Sequence, residues 1–160
     1  MPKLVRHDIP DMTNVRKVTI KHGKTTKRFD VHELDDWQSV ADALAKIIKP
    51  GSIVSLSGPL GAGKTTLVQY LARTLGAPKR AISPTFALMR IYKLKSQTHS
   101  GICRLVHVDA YRLEDAKDLV VLDLDEELME PGTVVLIEWP ENIKRWLKNK
   151  KQTIKVVIKL

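Results

Sequence analysis

Apolar residues change their spacing along this chain, and the changes divide it into alternating strands and helices. Val15 to Ile20 alternates, with Val18 and Ile20 on one side, and predicts a strand. Lys21-His22-Gly23-Lys24 reads as a turn into a short strand near Phe29 and Val31. From Asp35 to Ile48 the period lengthens. Val40, Leu44, Ile47 and Ile48 fall at i, i+4, i+7 and i+8, one face of a helix that Asp35 or Asp36 caps and Pro50-Gly51 ends. Ile53 to Ser57 is a short apolar strand and Gly58 to Gly63 a glycine-rich loop. Lys64 to Leu75 is a helix with Leu67, Leu71 and Leu75 in register, closed by Gly76.

The second half alternates again. Phe86 to Leu94 and Leu105 to Val108 predict strands joined by a polar loop, Lys95 to Gly101. Leu113 to Glu130 is acidic and predicts helix in pieces. Thr133 to Trp139 holds the strongest buried strand, Val134-Val135-Leu136-Ile137, followed by a short helix near Glu141 to Leu147 and a strand from Thr153 to Leu160. Helices interleaved with short apolar strands predict an α/β fold with a largely parallel central sheet and helices on both faces. Residues 1–14 lack a period and read as a flexible extension; 15–160 read as a single domain.

Composition narrows the class. With 43% apolar and 28% charged residues, the 160-residue chain has the balance of a globular domain. Its one cysteine, Cys103, excludes an internal disulfide or a multi-cysteine zinc site and fits a reducing compartment. Apolar runs such as Val134 to Ile137 fall far short of the roughly 20 residues a membrane helix needs. No apolar segment near the N-terminus reads as a secretory signal, so a cytoplasmic location is expected. The net charge of +9 is unevenly placed. Residues 144–160 hold seven basic side chains and no acidic one, and the N-terminal stretch is also basic; residues 105–130 hold nine acidic against two basic. The basic ends suit phosphate backbones or an acidic partner, or simply a solvated surface.

One motif carries chemistry. Gly58-Pro59-Leu60-Gly61-Ala62-Gly63-Lys64-Thr65 matches G-x-x-x-x-G-K-[ST], with an apolar strand before it and an amphipathic helix after it. Glycines let backbone N–H groups curl around phosphates, and the following helix adds its N-terminal N–H groups and dipole. Lys64 is placed to reach β- and γ-phosphates and Thr65 to offer a hydroxyl to Mg²⁺. Pro59 removes one N–H and is expected outside the tight phosphate nest. A magnesium site of this kind needs a carboxylate at the end of a neighbouring strand. Asp109 follows Leu105 to Val108, and Glu138 follows Val134 to Ile137. His107, between apolar neighbours, reads as a core histidine, and Ser83-Pro84-Thr85-Phe86 as a turn before a strand.

The phosphate loop, extended by Thr66-Leu67, occurs in order with Ser83-Pro84-Thr85-Phe86, His107-Val108-Asp109-Ala110-Tyr111-Arg112-Leu113 and Ile137-Glu138-Trp139-Pro140-Glu141. This set resembles the bacterial TsaE family, P-loop ATPases of tRNA threonylcarbamoyladenosine biosynthesis, over about residues 33–158. The resemblance implies a P-loop NTPase fold, ATP and Mg²⁺ as ligands, and slow hydrolysis in support of TsaB and TsaD, with tRNA reached through that complex and no membrane partner. It assigns nucleotide contact to Gly58, Leu60, Gly61, Ala62, Gly63, Lys64, Thr65 and Thr66, and Mg²⁺ to Thr65 and Glu138. It makes Asp109 the expected hydrolysis residue and Thr85 a switch residue near the γ-phosphate. Trp139 and Tyr111 are expected to shape the site or a partner surface. The chain departs from the family pattern at Pro59, where Asp is usual, at Trp37, where Thr is frequent, and at Asp123, where Gly is common. Val15 to Ile20 is expected to fill the sheet edge where many relatives carry a final strand beyond the position of Leu160. Trp37 stands at the helix start on the expected adenine side, where an indole either stacks on the base or packs the helix end.

Two other functions compete. A small-molecule kinase uses the same loop, but usually with an arginine-rich lid, and here the arginines are scattered. A non-enzymatic nucleic-acid module would use the basic ends, but aromatic content is only 5% and the phosphate loop has no purpose in it.

Overall fold

The structure, a computed structural model, describes residues 14–78, 80–81, 84, 88–95, 101–114 and 123–160. Among these residues, seven strands form one sheet in the order β2-β1-β7-β3-β6-β5-β4. They are β1 (Arg16–His22), β2 (Thr25–Val31), β3 (Ile53–Ser57), β4 (Met89–Lys93), β5 (Arg104–Asp109), β6 (Thr133–Glu138) and β7 (Ile154–Lys159). The described helices are α1 (Trp37–Ile47), α2 (Lys64–Thr74), α3 (Leu124–Met129) and α4 (Lys144–Leu147). Short 3₁₀ turns, Leu34–Asp36 and Pro140–Ile143, lead into α1 and α4.

The centre of the sheet, β7-β3-β6-β5, is parallel. Its margins are antiparallel: β1 to β2, β1 to β7, and β4 to β5. The largely parallel expectation therefore holds for the core of the sheet. At the β1–β2 margin the reason is local, since a turn this short, with Gly23 at φ +59°, can only reverse a strand. The alternating segment expected at the sheet edge, Val15 to Ile20, instead lies inside it: β1 pairs with β7 on one side and with β2, which takes the outermost place, on the other.

Side-chain alternation sends the two halves of each strand to different cores. Val54, Leu56, Leu105, Val134, Leu136, Val156 and Ile158 pack with α1 and α2. Val106, Val108, Val135 and Ile137 pack with Leu124 of α3 and Ile143. The second core lies over β5 and β6 and reaches β3 only at Ile53. On β3, β7 and β1 the same face carries Ser55, Ser57, Lys155, Thr19 and Lys21, none of which joins either core. Polar side chains along those strands thus leave that part of the face without an apolar core, although Ser55 itself is buried.

The expected helix over 35–48 divides into a 3₁₀ turn and α1. The Asp36 carboxylate accepts the N–H groups of His32 and Glu33 at 2.8 and 3.0 Å, which fixes the helix entry. These bonds hold the Asp36 carboxyl below its ordinary pKa. Of the acidic 113–130 stretch, residues 124–129 are helical and 115–122 lie outside the described residues, as do 1–13 of the expected extension. Asp123 has φ +49°, a left-handed position that glycine occupies without strain, so the departure there places a tolerant residue on a glycine backbone.

Candidate active site

β3 ends at Ser57 and the chain turns through Gly58–Gly63 into α2. Gly61 and Gly63 have φ of +76° and +106°, values that side chains resist. Gly58 answers to close approach instead: a Cβ there would stand 2.9 Å from the Ile158 carbonyl oxygen of β7. Pro59, Leu60 and Gly61 are exposed at the crest, while Ala62, Gly63, Lys64 and Thr66 are buried at the base. Pro59 thus lies away from the base of the loop, and its carbonyl accepts from the Ala62 N–H at 3.1 Å.

Lys64 is only 6% exposed. Its ammonium donates to the Gly58 and Pro59 carbonyls at 2.5 and 2.9 Å and stands 4.2 Å from the centre of the Trp139 ring. Burial pushes its pKa down, and the charges of Glu138, Glu141 and Asp109 pull against that shift. Parallel register then brings the two acids to one level. Asp109 of β5 lies opposite Glu138 of β6, and Glu138 opposite Leu56 of β3, just before the loop. Thr65 Oγ1 donates to Glu138 Oε1 at 3.1 Å. His107, fully buried, meets Glu138 Oε2 at 2.9 Å. A carboxylate only accepts, so the imidazole Nε2–H is the donor. The histidine expected in the core is there, and it also holds one oxygen of Glu138.

The donor set fits a magnesium ion. Mg²⁺ takes hard oxygens, with one or two carboxylates and the remaining positions filled by phosphate oxygens and water. A hydroxyl and a carboxylate oxygen already meet at Thr65 and Glu138. Asp109, 7% exposed, accepts the Tyr111 N–H at 3.0 Å, which fixes the turn after β5.

Two residues that the sequence reading did not single out also shape the site. Arg16 of β1 is 2% exposed and donates to the Gly61 carbonyl at 3.3 Å, bracing the loop from the β7 side. Asn142 Nδ2 donates to the Ala110 and Tyr111 carbonyls at 2.8 and 3.2 Å and ties the segment after β6 to the one after β5. Neither has a local signature, because each acts on backbone far away in the chain. Trp139 sits at φ +58° and its ring lies 5.0 Å from that of Tyr111, so both aromatics do line the site.

Trp37 corrects the expectation of a base contact. Its ring is fully buried beneath the loop, and a Cβ on Gly63 would fall 2.4 Å from its Cζ2. It supports the loop from below and offers no face to a base; the helix-packing alternative is the one that holds. Thr85, expected as a switch residue, lies outside the described residues with Ser83 and Phe86.

An α/β sheet whose central strand runs through a glycine loop into a helix, with Lys and Thr at the turn and acids on the neighbouring strands, defines a P-loop NTPase fold. The TsaE family profile, described as threonylcarbamoyl adenosine biosynthesis protein TsaE, matches residues 31–159. The chain is 35% identical over 125 residues to the tRNA threonylcarbamoyladenosine biosynthesis protein TsaE of Bacillus subtilis, covering 78% of this chain and 72% of that one. It is 43% identical over 99 residues to the protein of that name from Streptomyces coelicolor, covering 61% and 63% of the two. The crystal structure of Bacillus subtilis YdiB superposes with a TM-score of 0.61 at 26% identity, over 92% of this chain and 80% of that one. This chain belongs to the TsaE family, whose place is in tRNA threonylcarbamoyladenosine biosynthesis. Among the described residues, no helix is long and apolar enough to cross a membrane.

Proposed function

We propose that the protein binds ATP with Mg²⁺ and hydrolyses it slowly, as an accessory ATPase that sustains turnover of a TsaB–TsaD pair. The observation that carries this reading is the convergence of Lys64, Thr65, Glu138 and Asp109 at the mouth of one glycine loop. Lys64 is pre-positioned by two loop carbonyls and exchanges them for phosphate oxygens, so its charge is present before the nucleotide arrives. Thr65 and Glu138 would hold the metal, whose chemistry is to neutralise charge between β- and γ-phosphates. His107 keeps Glu138 turned toward Thr65. Asp109 orients the attacking water. The arginines are scattered along the sequence and form no lid-like cluster. A site short of such charge is slow alone and gains rate when a partner completes it. A cytoplasmic location follows from this role.

The test is phosphate release by the protein alone, with TsaB and TsaD, and with the pair plus Asp109→Asn. The expected pattern is low activity alone, stimulation by the pair, and loss of the stimulated rate in the variant. High activity alone that the pair leaves unchanged would overturn the accessory reading and favour the kinase.

A further inference from the structure

On the face of the sheet away from α1 and α2, a groove of about 910 Å³ runs along β3 and β7 between the β1–β2 turn and the segment 140–148. Ser55 and Ser57 form its floor, and Lys49, Lys144, Lys148 and Lys155 stand around it. All four lysines are exposed, and among the described residues none has a carboxylate partner. Lys150 also lines the groove, but Asp125 holds it at 2.8 Å. Among the described residues Glu141 is the one acid in the lining. The basic face continues past the groove. Alternation puts Lys21 of β1, Arg28 of β2 and Lys159 of β7 on the same side, all exposed; Lys17 joins them, paired with Asp30 at 2.9 Å.

We propose that this polar, lysine-rimmed sheet face binds the phosphate backbone of a folded RNA. Neighbouring strands stand about 4.8 Å apart and alternate residues on one strand about 6.6 Å apart, so the charges spread over a surface. They suit an extended polyanion better than a single phosphate group. Lysine predominates, a flexible point charge that meets phosphate without reading bases. Among the described residues no Phe, Tyr or Trp lines the groove, so splayed single-stranded bases would find no stacking platform. Structured RNA is recognised largely by shape and backbone contacts, which this face provides. The choice of RNA over other polyanions rests on the place of the family in tRNA modification. The groove reaches the phosphate-loop end of β3 at Ser57 and shares Glu141 with the surroundings of Lys64, but none of Gly58 to Thr66 lines it.

The experiment measures fluorescence anisotropy of a labelled, unmodified tRNA transcript against the full chain at several salt concentrations. The variants are Lys144→Gln/Lys148→Gln/Lys155→Gln, altered together, and Lys46→Gln on the exposed side of α1 as control. Wild type is expected to bind, with affinity falling linearly with salt on a log–log scale. The triple variant should bind at least about tenfold more weakly near 0.1 M salt, with a slope smaller by about 3, one for each lysine lost. Lys46→Gln should match wild type. No binding at 50 mM salt, or equal binding by the triple variant, would overturn the proposal. A polyglutamate chain that competes as well as unlabelled tRNA would assign the face to an acidic protein segment instead. A parallel titration of ATP on the same proteins separates this result from the ATPase reading, since that site does not use these lysines.

Discussion

At the phosphate loop a single ammonium, Lys64, is nearly enclosed and is met by two carbonyls, an indole and the field of three acids. On the opposite side of β3, Lys49, Lys144, Lys148 and Lys155 stand in solvent with no carboxylate beside them among the described residues. One region fixes one charge in place; the other spreads many charges and leaves most of them in solvent. In a partly dry site a charge acts strongly and in one direction, and added salt reaches it poorly. Exposed charges act weakly one by one and are screened beyond about 8–10 Å at physiological salt. The contrast assigns chemistry to the first region and attraction over a broad surface to the second.

The largest effect should come from Asp109→Asn, which breaks the first region at its reacting end. Partner-stimulated phosphate release is expected to fall roughly 10²–10⁴-fold with nucleotide affinity retained, the mark of a group acting in the transition state. Steady-state release assays and a nucleotide titration check the two halves of that statement. Glu138→Gln should differ by raising the Mg²⁺ concentration needed for binding.

Lys64→Ala comes next. Charge-assisted bonds contribute roughly 1.5–3 kcal/mol each, so the affinity for a fluorescent ATP analogue should fall about 10–100-fold. The loss should depend little on ionic strength, whereas binding of RNA by the opposite face should depend on it steeply. Equal salt dependence at both would erase the contrast.

A smaller effect separates support from contact. Trp37→Phe keeps an aromatic ring but leaves a cavity where the indole was fully buried, and it breaks no hydrogen bond, since the indole N–H has no partner among the described residues. It should cost about 1–2 kcal/mol in stability through that cavity and leave ATP affinity unchanged. Gly63→Ala should cost as much or more, roughly 1–3 kcal/mol, because the added carbon meets the Trp37 ring at a backbone angle that side chains resist. Denaturant midpoints measure both. A Trp37→Phe protein within that stability range that bound ATP poorly would restore the base contact.

The smallest effect lies at the entry to α1. The folded-state pKa of Asp36 is lowered, so the stability it contributes is present above the ordinary carboxylate range, about pH 3.8, and is lost as pH falls through the lowered value. Asp36→Asn should flatten the acid limb of the melting temperature against pH. An unchanged limb would remove Asp36 from the acid response.

Much of the first region was legible because its chemistry is contiguous. Gly58 to Thr65 places loop, lysine and hydroxyl in one run, and Asp109 and Glu138 each end an apolar strand. Trp37 was harder. A tryptophan opening a helix near a nucleotide loop suits either stacking or packing, and only burial decides. Arg16 and Asn142 were not legible, because each bonds to backbone carbonyls brought near by the sheet. The second region was visible only as basic ends. That Lys21, Arg28, Lys155 and Lys159 share a face depends on β1 pairing with β7, a register that no local pattern sets.

That pairing also orders events in time. Among the described residues β7 is the only strand joining β1 and β2 to the rest of the sheet, and it waits on residues 154–159, while the arginine that braces the phosphate loop sits at position 16. At about 5–20 residues per second, the ribosome releases the two segments roughly 7–28 s apart. Throughout that interval the β1–β2 hairpin has no sheet to join, and an isolated two-stranded hairpin is marginal in water. The loop can form with α2 well before its brace arrives. A nascent chain would thus carry an incomplete nucleotide site until its last described strand is made, and folding speed should be set by this distant closure rather than by the helices.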